Sequence, residues 1–303
     1  MEQVPRKRLR PDIMPAQKSI KMNIEPIAPF HLDLDRQGNL HEIHGKLFDQ
    51  AAYSRMKYGV RTDLKYFARM VAEELQQQAP QLFNGVEPPA ILTSYKAVAP
   101  PGTTLARYCL DIINLERFRQ KLVPGEMVQV YRPKDYIEEY AILPAAERKK
   151  LLGTQTDNTL RGRSLDGYVP VILDDIYVTG GYTAMLRNVI GNQQKVVSAY
   201  IAVCSETLKK MPHAEGILNN SGIRKPADLL PFIERQDFVC TRRFLKMLLR
   251  TSLYELKPVV SALPDILLEQ IARGIIDTDS ELQFIFPDTA NLLIDAALER
   301  RCI

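Results

Sequence analysis

GYVPVILDDIYVTGGYTAML, residues 167–186, contains an apolar run that stops at two adjacent aspartates, Asp174 and Asp175. A turn rich in glycine and threonine follows, and the residues beyond the turn have a helical pattern. A short apolar run of this kind is typical of a buried strand, so two neighbouring carboxylates at its end require a partner. Strand, turn and helix together indicate one βα unit.

Strands and helices alternate along the middle of the chain. Apolar runs predict strands at 90–95, 126–132, 168–173 and 195–204. Helical patterns separate the strands, and the clearest helical pattern precedes them at 62–78. Short apolar strands that alternate with helices are typical of a parallel sheet with helices on both faces. We therefore expect an α/β fold.

Two further regions flank this alternating part. The first 38 residues contain several prolines and are expected to have little regular structure, with a turn at 35–39, whereas residues 40–57 look helical. After residue 205 the patterns predict helices alone. The expected organisation is an arm at 1–38, an α/β domain at 39–205 and a helical C-terminal region at 206–303.

Residues 1–22 concentrate the positive charge of the chain. This segment holds six basic and two acidic side chains, which accounts for the whole formal net charge of +4. A basic arm on a neutral body can contact nucleic acid or the acidic face of a protein partner. A solvated terminal tail is the alternative interpretation.

The composition argues against several classes of protein. No run approaches about 18 apolar residues, so we expect no membrane-spanning helix, and the basic N-terminus lacks the apolar run of a secretory signal. The four cysteines and four histidines lack the spacing of a zinc site, and we expect free thiols in a reducing cytoplasm. No serine–histidine–aspartate or cysteine–histidine arrangement indicates a covalent nucleophile.

The turn beyond the aspartates has the chemistry of a phosphate site. It consists of Val178, Thr179, Gly180, Gly181, Tyr182 and Thr183. Glycines let backbone amides point at one centre, and a helix N-terminus adds partial positive charge. Asp174 and Asp175 suit sugar hydroxyls or a divalent cation such as Mg²⁺. A sugar phosphate would satisfy both halves, whereas an ordinary helix N-cap would explain the turn but not the aspartates.

The string VILDDIYVTGGYT resembles the signature that binds 5-phosphoribosyl-1-pyrophosphate (PRPP) in type I phosphoribosyltransferases. The resemblance implies a Rossmann-like phosphoribosyltransferase core with a parallel sheet. It also implies that Asp174 and Asp175 face the ribose hydroxyls, meeting the metal through ribose or water, and that residues 178–183 hold the 5-phosphate. The turn departs from the commoner pattern, because Gly181 and Tyr182 together stand where one residue is usual.

The segment SYKAVAPPGTTLA, residues 94–106, resembles the pyrophosphate loop of the same family, most closely that of the orotate phosphoribosyltransferases. The resemblance implies that Ser94, Tyr95 and Lys96 line the pyrophosphate pocket. A lysine ammonium is a mobile point charge that suits a departing pyrophosphate. The alternative is a strand end with a solvent-facing lysine.

Two shorter segments also resemble the family. VYRPKDY, residues 130–136, is similar to the strand end before the flexible catalytic loop, which makes Arg132 and Lys134 candidates for contacting the pyrophosphate. YSRMKYG, residues 53–59, is a weaker match whose basic and aromatic residues would reach over the acceptor site. For this last segment we favour the alternative, a helix that packs on the sheet.

The resemblance implies an enzyme that uses Mg²⁺ and transfers the phosphoribosyl group of PRPP to a nitrogenous base or nucleotide. The candidate catalytic residues are Asp174, Asp175, Lys96, Arg132 and Lys134. Such a reaction requires positioning and charge stabilisation rather than a covalent nucleophile. Either aspartate can accept a proton from the incoming base. Members of the family often dimerise, so a homodimer is a further expectation.

The alternative function is a catalytically weak regulator, or a bacterial defence effector of the retron type. Such a protein would bind PRPP or a nucleotide together with a nucleic-acid or protein partner. Arg243, Lys246 and Arg250 lie at helical spacing, opposite an apolar face, and form a candidate nucleic-acid contact. A solvated helix face explains the same spacing.

Overall fold

The computed structural model describes most of the chain, in seven stretches. These are residues 25–37, 39–131, 160, 162–191, 195–211, 214–277 and 281–303. The basic segment 1–22 and the site candidates Arg132 and Lys134 lie outside the described residues, and the expectations for them stay predictions.

The described residues form six strands and thirteen α-helices. The strands are β1 (Phe30–Leu34), β2 (Leu40–Glu42), β3 (Pro89–Ser94), β4 (Glu126–Val130), β5 (Val169–Tyr177) and β6 (Val197–Cys204). The first helices are α1 (Gln50–Tyr58), α2 (Arg61–Gln78), α3 (Gln81–Asn84), α4 (Pro101–Arg119), α5 (Gly181–Ile190), α6 (Glu206–Lys209) and α7 (Ala214–Asn219). A 3₁₀ helix (Pro226–Leu229) leads to α8 (Leu230–Glu234), α9 (Arg242–Arg250), α10 (Leu253–Ala262), α11 (Asp265–Asp277), α12 (Glu281–Ile285) and α13 (Pro287–Glu299). None of the described helices is long and apolar enough to cross a membrane.

The strands form one sheet in the order β2-β1-β6-β5-β3-β4. β1 and β2 are antiparallel, and the other neighbouring pairs are parallel. Parallel neighbours need crossover connections, and α4 and α5 lie in two of these connections, from β3 to β4 and from β5 to β6. The predicted α/β fold, a Rossmann-like core with a largely parallel sheet and a helical C-terminal region, is confirmed.

The expectation of little regular structure over residues 1–38 is wrong for Phe30–Leu34, which form β1. Phe30 and Leu32 alternate with polar residues and are fully buried. The strand pairs in parallel with β6, with Phe30 opposite Ala202. A strand of five residues is difficult to predict from the sequence, because it is stabilised by a partner strand that lies far along the chain.

The helix expected at 40–57 begins only at Gln50, and Leu40–Glu42 form β2 instead. Gly45 has a φ of 77°, a left-handed conformation that interrupts any helix. The side chain of Asp49 accepts a hydrogen bond from the backbone N–H of Ala52 at 2.8 Å and so caps the start of α1.

Apolar side chains cover both faces of the sheet, as the run of uncharged residues in β5 predicts. Val171 and Leu173 join a cluster with residues of α1, α2 and α4 on one face. Ile172 points the other way and joins a cluster that includes Met185 and Leu186 of α5. The alternation follows from the two-residue period of a strand.

The C-terminal helices have a hydrophobic cluster of their own and cover the loop that follows β3. The backbone N–H of Arg242, the first residue of α9, donates to the carbonyl oxygen of Ala99 at 3.0 Å. Gly274 of α11 lies so close to Val98 that a Cβ atom at position 274 would be 2.2 Å from a Val98 methyl carbon. The helical region therefore lies beside the carboxyl end of β3.

Arg117 of α4 is fully buried and fastens two loops. Its Nε donates to the carbonyl oxygen of Val123 at 2.6 Å, and its Nη1 donates to that of Leu82 at 3.0 Å. We predict that Arg117→Leu lowers the free energy of unfolding by about 2–4 kcal/mol, because both carbonyls, of which that of Leu82 is buried, lose their donor. Arg119→Leu, an exposed change on the same helix, should alter it by about 0.5 kcal/mol or less. Urea denaturation measures both, and equal effects would contradict the prediction.

Candidate functional site

Asp174 and Asp175 lie within β5 rather than beyond its end. The prediction that the strand stops at residue 173 is wrong, since β5 continues to Tyr177 and Asp174 pairs with Tyr200 of β6. The apolar run ends, but backbone hydrogen bonds to β6 do not depend on apolar side chains. β3 pairs with β5 only as far as Leu92 and Ile172. The aspartates thus lie where β3 and β5 separate.

The gap between β3 and β5 is where the connections of the sheet change direction. The chain passes from β3 to its neighbour β4 on one side, and from β5 to its neighbour β6 on the other. In open α/β sheets, ligands bind in the crevice outside the carboxyl ends of the strands at such a point. The two aspartates occupy that crevice.

Asp175 is buried and forms an ion pair with a lysine of α1. The Nζ of Lys57 donates to Asp175 Oδ2 at 2.5 Å and lies 3.6 Å from Oε1 of Glu215 in α7. Burial opposes the charge on Lys57, but the two carboxylates outweigh it and hold the pKa of Lys57 above its usual value. The ammonium group therefore stays charged and neutralises Asp175.

Asp174 has a different environment from its neighbour. Its Oδ1 accepts a hydrogen bond from the backbone N–H of Asp175 at 2.9 Å. Burial of the carboxyl group, followed by the negative charge of Asp175, raises the pKa of Asp174 to about 7. Gly102 of α4 touches this carboxyl, and a Cβ atom at position 102 would be 2.1 Å from Oδ1. Only glycine leaves room for Asp174 here.

The glycine turn and the aspartates line one cavity of about 120 Å³. Its wall includes Asp174 and Asp175, Tyr200, Glu215 and the whole turn from Val178 to Thr183. Gly180 has a φ of 69° and stands at the N-cap of α5, where no described side chain caps the helix. The structure thus brings the predicted sugar and phosphate residues together, although their roles stay predictions.

Tyr182, the bulky residue in the turn, bridges to the other predicted loop. Its hydroxyl lies 3.3 Å from Oγ of Ser94, the last residue of β3. Tyr95 stacks near Tyr131 with ring centroids 4.8 Å apart, and Lys96 is half-buried in the loop beyond. Ser94, one of the predicted pyrophosphate residues, therefore contacts the turn.

Arg243, Lys246 and Arg250 lie on α9 and line a second, larger cavity of about 920 Å³. The opposite face of α9 is buried in the C-terminal cluster. The structure therefore places the three cations on the wall of a concavity, and their role stays a prediction.

Sequence reasoning missed three residues that contact the aspartates or their ion pair: Lys57, Gly102 and Glu215. Lys57 carried a usable signal, because it lies four residues after Tyr53 on the buried face of α1. A lysine at such a position needs a buried carboxylate. Gly102 and Glu215 had no comparable signal, since only the tertiary structure brings them near Asp174 and Lys57.

The family described as PRTase ComF-like matches residues 35–278 of the chain. The match includes the whole sheet from β2 onward, the glycine turn and much of the helical C-terminal region. Neither the curated proteins nor the solved structures include a match to the chain.

We predict that Lys57→Met lowers the free energy of unfolding by about 3–5 kcal/mol, because it leaves the buried Asp175 carboxylate without its counter-ion. Combining it with Asp175→Asn should restore about 1–3 kcal/mol relative to the sum of the single changes. Urea denaturation of the four proteins in this double-mutant cycle measures both values. The exposed Lys257→Met serves as the control, and strict additivity would show that the ion pair has no stabilising role.

Asp174 should make stability depend on pH. Its native pKa of about 7 lies above the usual aspartate value of 3.8, so the native state binds more protons between about pH 4 and pH 7. Stability should fall as pH rises through that window. Asp174→Asn should remove this fall and be more stable than the parent by on the order of 3 kcal/mol at pH 8. The exposed Asp111→Asn is the control, and a difference that does not vary with pH would contradict the assignment.

Proposed function

The chain belongs to the PRTase ComF-like family, which is related to the type I phosphoribosyltransferases, and on this premise we propose that it is a phosphoribosyltransferase that uses PRPP and Mg²⁺. The group transferred is the phosphoribosyl unit, and the acceptor is a nitrogen atom of a base or nucleotide. One observation carries the proposal: the paired aspartates and the glycine turn line the same cavity at the β3–β5 crevice.

In this proposal the 5-phosphate lies against residues 178–183, where backbone amides and the N-terminus of α5 favour an anion. The ribose hydroxyls face Asp174. The pyrophosphate extends toward Ser94 and Lys96, and Arg132 and Lys134 are further candidates for contacting it. These placements follow the resemblance residue by residue.

The carboxylate oxygens of Asp174 and Asp175 are donors of the kind that Mg²⁺ prefers, directly or through ribose and water. When bound, the ion would supply positive charge that stabilises the departing pyrophosphate. The ammonium of Lys57 already neutralises Asp175, and this reduces the negative charge that the protein offers to the metal ion. Asp174 is therefore the aspartate that remains for ligand contact.

The same asymmetry assigns the acid–base role that the sequence leaves open. A pKa of about 7 lets Asp174 take a proton from the incoming nitrogen at neutral pH, whereas Asp175 is engaged in the ion pair with Lys57.

A PRPP-binding regulator or defence effector with weak catalysis is the second candidate. The position of Tyr182 favours it, since a bulky residue that bridges the turn to Ser94 restricts a cavity of only about 120 Å³. In that role the basic residues 1–22 would contact a nucleic-acid or protein partner. A homodimer fits either function.

PRPP with Mg²⁺ at 100 times its dissociation constant should add about 2.7 kcal/mol to the free energy of unfolding. With a panel of bases and nucleotides as acceptors, pyrophosphate release should fall at least about 100-fold in Asp174→Asn, because that variant cannot accept the proton. Thermal denaturation and a pyrophosphate assay measure the two effects, with Asp111→Asn as the control. Binding without release supports the regulator, and a lack of stabilisation by PRPP would falsify the proposed site.

A further inference from the structure

The large cavity on α9 has an unusual concentration of positive charge. It lies between α9, α10, the 3₁₀ helix and the start of α4. Six basic side chains line it: Arg224, Lys225, Arg242, Arg243, Lys246 and Arg250. Only two acidic residues, Glu215 and Glu255, occur among its described lining residues. Positive charges around a concave surface focus the electric field within it and attract anions.

Two of the cations in the wall, Arg242 and Arg243, are held in place by the fold. Thr241 caps α9 by accepting a hydrogen bond from the backbone N–H of Phe244 at 3.3 Å, which fixes the first turn of the helix. Arg242 is only 8% exposed. The guanidinium carbon of Arg243 lies 5.4 Å from the ring centroid of Tyr58 and stacks over it.

Two structural links join this cavity to the proposed PRPP site. Glu215 lines both cavities, and its carboxylate lies 3.6 Å from the Lys57 ammonium that pairs with Asp175. Pro100 and Pro101 line the cationic cavity, and the next residue along the chain touches Asp174. A molecule in the cationic cavity would therefore lie beside the crevice that holds the aspartates.

We propose that this cavity binds the second substrate, and that the substrate is a nucleotide carrying two or three phosphates. The phosphates lie on Arg243, Lys246 and Arg250, and the base points toward Asp174. This inference rests on the proposed function and deepens it by naming the acceptor class. The four-cation excess of the lining residues matches the charge of such a nucleotide, whose terminal phosphate alone carries about −1.5 to −2.

The shape of the cavity favours a free nucleotide over a strand of nucleic acid. Its volume of about 920 Å³ falls within the range of sites for small molecules, about 300–1,000 Å³. Strand-binding proteins use a track of cations with successive aromatic platforms. Here two aromatic residues, Tyr58 and Tyr254, occur among the described lining residues. Tyr58 is buried beneath Arg243, so Tyr254 is the one exposed aromatic residue among them, and the lining residues do not form a series of platforms.

The transfer step balances without any further reactant. A nitrogen of the base that carries a hydrogen, either a ring N–H or an exocyclic amino group, forms a bond to the anomeric carbon of PRPP, and the bond from that carbon to the pyrophosphate oxygen breaks. The pyrophosphate leaves with the electron pair of that bond. The proton of the attacking nitrogen passes to the Asp174 carboxylate, and the product is a nucleotide with a phosphoribosyl group on its base.

The first test is binding. ATP, GTP, CTP and UTP are titrated separately into the full chain by calorimetry, without PRPP, and at least one should bind. The double change Lys246→Glu, Arg250→Glu should weaken that binding at least about tenfold, since it reverses two charges on the wall. Lys257→Glu, on an exposed face of α10 outside the cavity, should leave it unchanged. If the reversal impairs folding, Lys246→Gln with Arg250→Gln replaces it.

The second test is turnover. With PRPP and Mg²⁺, pyrophosphate release should be greater with the nucleotide that binds than with its free base, and the double variant should lose this difference. Stabilisation by PRPP alone should persist in the double variant, because its changes lie outside the PRPP cavity.

Three results would overturn the proposal. One is that PRPP binds but no nucleotide binds more tightly than inorganic tripolyphosphate. Another is that a short single-stranded oligonucleotide binds more tightly than any nucleotide and depends on Lys246 and Arg250. The third is that the free base alone supports full release. Failure of PRPP to stabilise the parent protein would instead refute the proposed function, and it is read independently of the cavity variants.

Discussion

Two adjacent carboxylates, Asp175 buried and Asp174 half-buried, lie near the carboxyl end of a central strand and require compensation, and the Lys57 ammonium supplies it. Because that lysine lies on α1, the ion pair ties the first helix of the core to β5. Glu215 adds a contact from α7, so three separate elements meet at one charge. The pair also makes the aspartates unequal, because Asp175 is engaged by Lys57, whereas the pKa of Asp174 is raised to about 7. Any reaction at this crevice would therefore involve two carboxyl groups in different environments.

The sheet topology explains why the crevice exists at this place. β3 and β5 pair only up to Leu92 and Ile172, while β5 continues along β6 to Tyr177. The carboxyl end of β5 is therefore open on one side and supported on the other. This arrangement leaves Asp174 facing the start of α4, where glycine at position 102 is the only residue that fits.

The helical C-terminal region adds a second cavity beside the core. The sheet and the glycine turn form a small cavity of about 120 Å³. The helices that pack beside the loop after β3 add a second concavity, whose lining is strongly cationic. Arg242 is central to this junction, because its backbone N–H donates to Ala99 while its side chain lines the cavity. The same contact joins the two regions and forms the wall of the candidate acceptor site.

The α/β fold and the segment from Asp174 to Thr183 could be identified from the sequence, because apolar periodicity and a short motif are local features. The short β1 and β2 escaped prediction, since strands gain their stability from partners distant in the chain. Lys57 is 118 residues from Asp175 in the sequence, and it neutralises Asp175 because folding packs α1 beside β5. Only the tertiary structure placed the cations of α9 in a cavity beside the aspartates. The physical reason is the same in each case. Charge compensation and the shape of a cavity depend on which elements meet in space, and residues adjacent in the sequence do not reveal this.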